Sequence, residues 1–163
     1  MDAVIRTFRR KDRIPVLDIF NRFVRESFAA YPEEEVEPDF FDHLLDSVVV
    51  LRILEVEGTV TGFGFIRPFM PLPNFVSTGV LTYFILPEFT RKGLGTKLLD
   101  ALIDAGCREG ITNYLANISS RNEQSLAFHR KHGFREVGCF TDVGVKFGES
   151  FDIVWMQKQF EGK

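Results

Sequence analysis

Cysteine is scarce in this chain of 163 residues, which carries 2, Cys107 and Cys139. Two thiols build neither a disulfide framework nor a metal site, so a reduced, cytoplasmic setting is expected. A strong charge of either sign is also lacking. The formal net charge is -3, which argues against a nucleic-acid backbone as partner. No apolar run is long enough to span a bilayer, and no secretory signal opens the chain. A membrane role is therefore not expected. Internal repeats, low-complexity tracts and linkers are missing too. Residues 1–163 read as one domain, large enough for a real core.

What is present is an ordinary globular composition, 45% hydrophobic and 26% charged. Phenylalanine is abundant at 18 residues. Most of these rings are expected in the core, and an aromatic-lined pocket is compatible with the remainder.

The chain is organised around residues 80–104. Val80-Leu81-Thr82-Tyr83-Phe84-Ile85-Leu86 is apolar, β-branched and aromatic, as a buried strand is, and Pro87 ends it. Thr90-Arg91-Lys92-Gly93-Leu94-Gly95-Thr96 follows. Leu94, Leu98, Leu99, Leu102 and Ile103 then repeat with the spacing of one helix face. Strand, basic glycine loop and helix come in that order. A helix start offers unpaired N–H groups and the positive end of a dipole, and glycine lets an anion approach them. The loop lacks the Gly-Lys-Ser/Thr ending of a nucleotide P-loop and the third glycine of a dinucleotide fingerprint. On its own it reads as either a tight turn or a pyrophosphate cradle.

Elsewhere the pattern predicts a strand over 3–8. Asp12 is expected to cap a helix with the stripe Ile14, Leu17, Phe20, Val24 and Phe28. An acidic loop over 33–37 and a short helix from Pro38 to Leu45 follow. Strands over 48–57 and 60–67 form a hairpin around Gly58. The long helix is expected to run to about Glu109, with Gly110 as its C-cap. A strand over 114–118, a helix from Asn122 to His132 and strands over 134–140 and 146–156 complete the chain. The fold class expected is a mixed α/β (α+β) layered domain.

Three stretches together carry a resemblance. They are Pro87 to Thr96, Asn122-Glu123-Gln124-Ser125 and Phe128-His129-Arg130-Lys131-His132-Gly133-Phe134. The chain resembles the GNAT N-acetyltransferase superfamily. The tail Val143-Gly144-Val145-Lys146-Phe147-Gly148, with Asp152 and Met156-Gln157, is similar to its phosphinothricin and methionine sulfoximine acetyltransferase branch.

The resemblance implies a mixed, mostly antiparallel sheet, splayed at a cofactor cleft, and transfer of an acetyl group from acetyl-CoA to an amine. It implies that N–H groups of Arg91, Lys92, Gly93, Leu94, Gly95 and Thr96 hold the CoA pyrophosphate. Backbone near Phe84 and Ile85 would pair with the pantetheine arm. Asn122 and Ser125 would bind that arm, and they also read plainly as an N-cap and a first-turn serine. His129 stands where the superfamily often has a tyrosine that protonates the leaving thiolate, and imidazole can donate or accept near neutrality. His43 and His132 are given no role. The branch also suggests a homodimer.

Two departures stand out. Thr90 occupies a place where the family has Gln or Arg. Val80 occupies the place of the branch's glutamate base, thirteen residues before Gly93. No base is therefore assigned. The loop after Arg67 is longer than the branch pattern. Arg67 reads as a solvated strand end, or as the partner of an acceptor carboxylate. Tyr31, Phe69 and Phe147 are expected to wall a short apolar side chain. The expected function is acetylation of a small amine, an amino acid or an analogue. Acetylation of a protein N-terminus or lysine is the alternative enzyme. A silent acyl-CoA-binding regulatory domain is the alternative from another class.

Overall fold

Apolar residues that alternate along the chain build a seven-stranded sheet in the computed structural model, which describes residues 1–161. The strands are β1 (Ala3–Thr7), β2 (Val50–Val56), β3 (Thr59–Pro68), β4 (Thr78–Ile85), β5 (Asn113–Ser119), β6 (Arg135–Lys146) and β7 (Glu149–Gln159). Their order across the sheet is β1-β2-β3-β4-β5-β7-β6. Neighbours are antiparallel, except that β4 and β5 run parallel. Helices α1 (Arg13–Glu26) and α2 (Pro38–Asp46) cover one face, and α3 (Leu94–Arg108) and α4 (Glu123–Lys131) lie on the other.

The two faces have different cores. Val16, Leu17, Phe20 and Val24 of α1 and Phe41 of α2 pack on Ile53, Phe63, Phe65 and Phe84. Most of the buried phenylalanines thus go into this core, each ring contributing roughly 1.5–3 kcal/mol when fully buried. On the other face Leu98, Leu99, Leu102 and Ile103 pack on Ile66, Leu81 and Tyr114.

The parallel pair is short. Only Thr78, Gly79 and Val80 register against Asn113, Tyr114 and Leu115. Beyond Val80, β4 stays paired to β3 as far as Ile85, and β5 stays paired to β7 as far as Ser119. The sheet therefore opens between two strands at their C-terminal ends, where crevices in α/β sheets take ligands.

Local structure departs from the sequence expectation in three places. Asp12 does not cap α1 with its side chain. Its carboxylate instead takes two bonds from Arg6, at 2.7 and 2.9 Å, and one from the Arg9 N–H at 2.7 Å. Ile14 is exposed and Phe28 lies past the end of α1, so Val16 and Ile19 complete the buried stripe. Finally, β6 continues to Lys146 rather than ending at Phe140. Asp142 and Gly144 look like chain punctuation, but the strand bulges there, with Asp142 at φ 51 and its N–H held by Asp152 Oδ1 at 2.8 Å. The reversal falls on Phe147 and Gly148, at φ 53 and 72, as a two-residue hairpin turn requires.

Candidate active site

The glycine loop bends as the start of α3 demands. Gly93 is its N-cap at φ 76, a left-handed conformation that glycine adopts without strain. The first helical bond runs from Lys97 N–H to the Gly93 carbonyl at 3.2 Å. Leu94, Gly95 and Thr96 therefore keep free N–H groups on the positive end of the helix. Gly95 has a different task. A Cβ there would meet the Phe128 ring at 3.2 Å, so its absence lets α4 approach α3. Thr90, Arg91, Gly93, Gly95 and Thr96 line a cavity of about 480 Å³ that continues along the open edge of β4 to Asn122 and Ser125.

Strand alternation decides what that edge presents. The Thr78 carbonyl and the Leu86 N–H both bond to the β3 side, at 3.3 and 2.9 Å. Residues of the same parity, Phe84 included, also aim their backbone at β3. Tyr83 and Ile85 aim theirs into the opening. Of the two residues expected there, Ile85 turns its backbone to the opening and Phe84 turns its own to β3. Phe84 contributes its ring, which is buried among Phe20, Phe23 and Phe63.

His129 of α4 is 3% exposed. Its Nδ1 lies 2.7 Å from the Ser125 carbonyl, and its Nε2 lies 2.7 Å from the Tyr83 hydroxyl. A carbonyl only accepts, so Nδ1 carries the proton. Nε2 then offers its lone pair, and the Tyr83 O–H donates to it. Burial holds the imidazole below its usual value, opposed by the bond to Ser125. Burial also pushes the Tyr83 phenol well above its usual range. The pair is consequently a neutral phenol donating to a neutral imidazole.

A second cavity, of about 270 Å³, meets the first. Ala29, Tyr83, Phe84, Asn122 and Ser125 line both, and His129 lines the second. Phe20, Phe40, Leu44 and Phe65 wall it, with Arg67 and Tyr31 among its polar lining. The Tyr31 hydroxyl donates to Asn117 Oδ1 at 3.0 Å, across the opening. Enclosure pushes that phenol up to about 12, against the pull of nearby Arg67. Among the described residues, no carboxylate pairs with Arg67.

The predicted residues therefore divide. Arg91, Gly93, Gly95, Thr96, Ile85, Asn122 and Ser125 gather at the larger cavity, and Arg67, Tyr31 and His129 at the smaller. Asn122 is also an N-cap, accepting from the Ser125 N–H at 3.2 Å. Lys92 stands over Phe89 at 5.5 Å, and the Leu94 side chain is core, which leaves their backbones alone for the loop. Phe69 packs on Phe75 and Phe147 on Phe28, and neither ring walls the smaller cavity. Two residues escaped the sequence reading. Tyr83 was hidden inside an apolar strand. His132 lines the larger cavity and accepts from Thr96 Oγ1 at 2.9 Å, its Nδ1 donating to the Phe128 carbonyl at 2.8 Å.

The chain is similar to known proteins along most of its length. The model of the Acetyltransferase (GNAT) family matches residues 15–134. The chain is 32% identical over 161 residues to the L-amino acid N-acyltransferase MnaT of Escherichia coli (strain K12), covering 96% of this chain and 94% of that one. It is 28% identical over 164 residues to a phosphinothricin N-acetyltransferase of Streptomyces coelicolor, covering 96% of both. Among solved structures it is similar to yncA of Salmonella typhimurium, solved with its cofactor acetyl-CoA. That likeness has a TM-score of 0.87 at 29% identity and covers 98% of this chain and 94% of the other. An anion-ready helix start beside a parted strand pair, within a sequence match of this extent, means that the chain belongs to the acetyltransferase (GNAT) family.

Proposed function

We propose that this protein transfers the acetyl group of acetyl-CoA to the amine of a small molecule that carries a carboxylate, an amino acid or an analogue. The observation that carries this is the meeting of two cavities at Tyr83, whose hydroxyl bonds to His129. One cavity begins at an anion-binding helix start, and the other reaches an arginine free of ion pairs among the described residues.

The residues present fit acetyl-CoA. The free N–H groups of Leu94, Gly95 and Thr96 suit a pyrophosphate, with Arg91 adding charge. Backbone of Tyr83 and Ile85 is open to an added strand, as the extended pantetheine arm can be. Asn122 and Ser125 supply polar groups near the junction. Bound acetyl-CoA supplies an activated acetyl thioester.

The chain's own work is to handle protons. The attacking amine must be neutral and must lose a proton as it reacts. Tyr83 Oη can take that proton while its own passes to His129 Nε2. The Ser125 carbonyl then holds the imidazolium through Nδ1–H. The same two atoms can return the proton to the departing sulfur. Val80 is 2% exposed, inside the sheet, and takes no part.

CoA release measured across a panel of amino acids, their amides, peptides and polyamines tests the reading. Free amino acids should be the best acceptors, and a preference for peptide N-termini would replace this reading with the protein-acetylating one. We further propose a homodimer, supported by the edge strand β6, which exposes Val137, Phe140, Val143 and Val145. Sedimentation would return a monomer mass if that assignment is wrong. A cytoplasmic setting is supported by two exposed, unpaired cysteines.

A further inference from the structure

Lys146, at the end of β6, is 0% exposed. Among the described residues no carboxylate pairs with it. Its Nζ donates instead to the carbonyls of Ser27 and Ala30, each at 2.5 Å, and lies 4.8 Å from the Phe147 ring. A buried ammonium without a counter-ion is costly. Desolvation accordingly holds it below its usual value, opposed by the charge of Glu33, which lies near without forming an ion pair. The compensation comes from α1. Ser27 is the C-cap of that helix, where the dipole's negative end favours a cation.

The bonded carbonyls flank the acceptor side of the site. Ala29 lines both cavities, and Ala30 and Tyr31 line the smaller. The whole segment leans on the β6–β7 hairpin. Phe28 packs edge-on against Phe147 and Phe151, at 5.5 and 5.7 Å. Tyr31 stacks on Phe151 at 5.9 Å, and the Phe147 N–H donates to Glu33 Oε1 at 2.8 Å. Lys146 alone among these ties fixes the backbone at two points.

We infer that Lys146 is a positioning residue for the acceptor, clamping residues 27–30 so that Ala30 and Tyr31 form the wall that meets Arg67. The inference rests on the acceptor reading given above. A methionine would fill the same volume but would leave both carbonyls without a donor, and they would turn to find one.

Lys146→Met in the full chain tests this with steady-state kinetics and calorimetry. The acceptor KM should rise about tenfold or more, the scale of a lost charged hydrogen bond. Turnover at saturation and acetyl-CoA Kd should stay within about twofold of the wild type, since Lys146 touches neither the relay nor the helix start. An unchanged KM in a folded variant overturns the inference. So does a parallel loss of acetyl-CoA affinity, which would mean general loosening. Amide hydrogen exchange gives a second reading that needs no acceptor. Ala30 and Tyr31 should exchange faster in folded Lys146→Met than in the wild type, and equal rates in the two proteins overturn the clamp. A wild type that ignores every amino acid counts against the acceptor reading instead, and amide protection then decides on Lys146 alone.

Discussion

The Tyr83 hydroxyl stands 2.7 Å from His129 Nε2, while the other ring nitrogen is committed to the Ser125 carbonyl. The histidine is thus reached through the tyrosine. Tyr83→Phe and His129→Phe should each lower turnover about a hundredfold, the scale of general acid–base catalysis. Acetyl-CoA affinity should remain nearly intact. The double variant should cost little more than the worse single one, because both residues serve one relay. Additive losses would show two independent roles.

The relay needs a neutral imidazole, and burial sets the His129 pKa below its usual value of 6.5. Turnover at saturating amine should therefore fall on the acid side, through a pKa under 6.5, and the His129→Phe variant should lose that limb. Turnover per KM adds a second limb from the amine itself. It should move with the amine's pKa when two acceptors are compared, whereas the histidine limb stays. An acid limb that survives in the variant belongs to another group. Stability follows with a fixed sign. The unfolded chain binds the proton more readily than the fold, so this group's contribution declines as pH drops from 6.5 to the folded pKa.

Gly93 and Gly95 make separable predictions. Gly93→Asp places a side chain at φ 76 and a negative charge where an anion should bind. Acetyl-CoA affinity should fall by at least about tenfold, or 1.4 kcal/mol. Gly95→Ala keeps the charge and meets the Phe128 ring at 3.2 Å, so that ring, on α4 beside His129, must give by a few tenths of an ångström. Its loss should appear in turnover as well, because α4 carries His129. Titration calorimetry with acetyl-CoA on folded variants checks both, and wild-type affinity in Gly93→Asp would remove the loop from the site.

Much of this was legible because it is local. The helix start, the N-cap at Asn122 and the hairpin at Gly58 are written within a few residues of one another. What escaped depends on partners far along the chain. Tyr83 finds His129 across 46 residues, and Lys146 reaches Ala30 across 116. No periodicity announces such pairs. Alternation within β4 assigns Ile85 rather than Phe84 to the opening, but only once a bond to β3 fixes the parity. Phe69 and Phe147 are expected at the acceptor wall, yet the rings that line the smaller cavity come from α1, α2, β3 and β4, Phe20, Phe40, Phe65 and Phe84 among them.

That wall and Arg67 together define the last prediction. Arg67 is exposed at a cavity otherwise lined by rings, by aliphatic side chains such as Leu44, Leu81 and Ile118, and by small polar groups. A guanidinium binds a carboxylate through two parallel hydrogen bonds, and an ammonium cannot copy that fork. Amino acids with a free carboxylate should therefore outperform their amides, and those with apolar side chains should gain from the wall. Arg67→Lys should erase most of the preference for acid over amide and raise KM chiefly for the acids. The loss should be on the order of 1.5–3 kcal/mol, as for a charged hydrogen bond. Turnover at saturation should change little, because Arg67 is not part of the Tyr83–His129 pair. Paired kinetics on each acid and its amide, in wild type and variant, give the comparison directly. Equal use of acid and amide by the wild type would take the carboxylate away from Arg67 and make a peptide N-terminus or a polyamine the better acceptor.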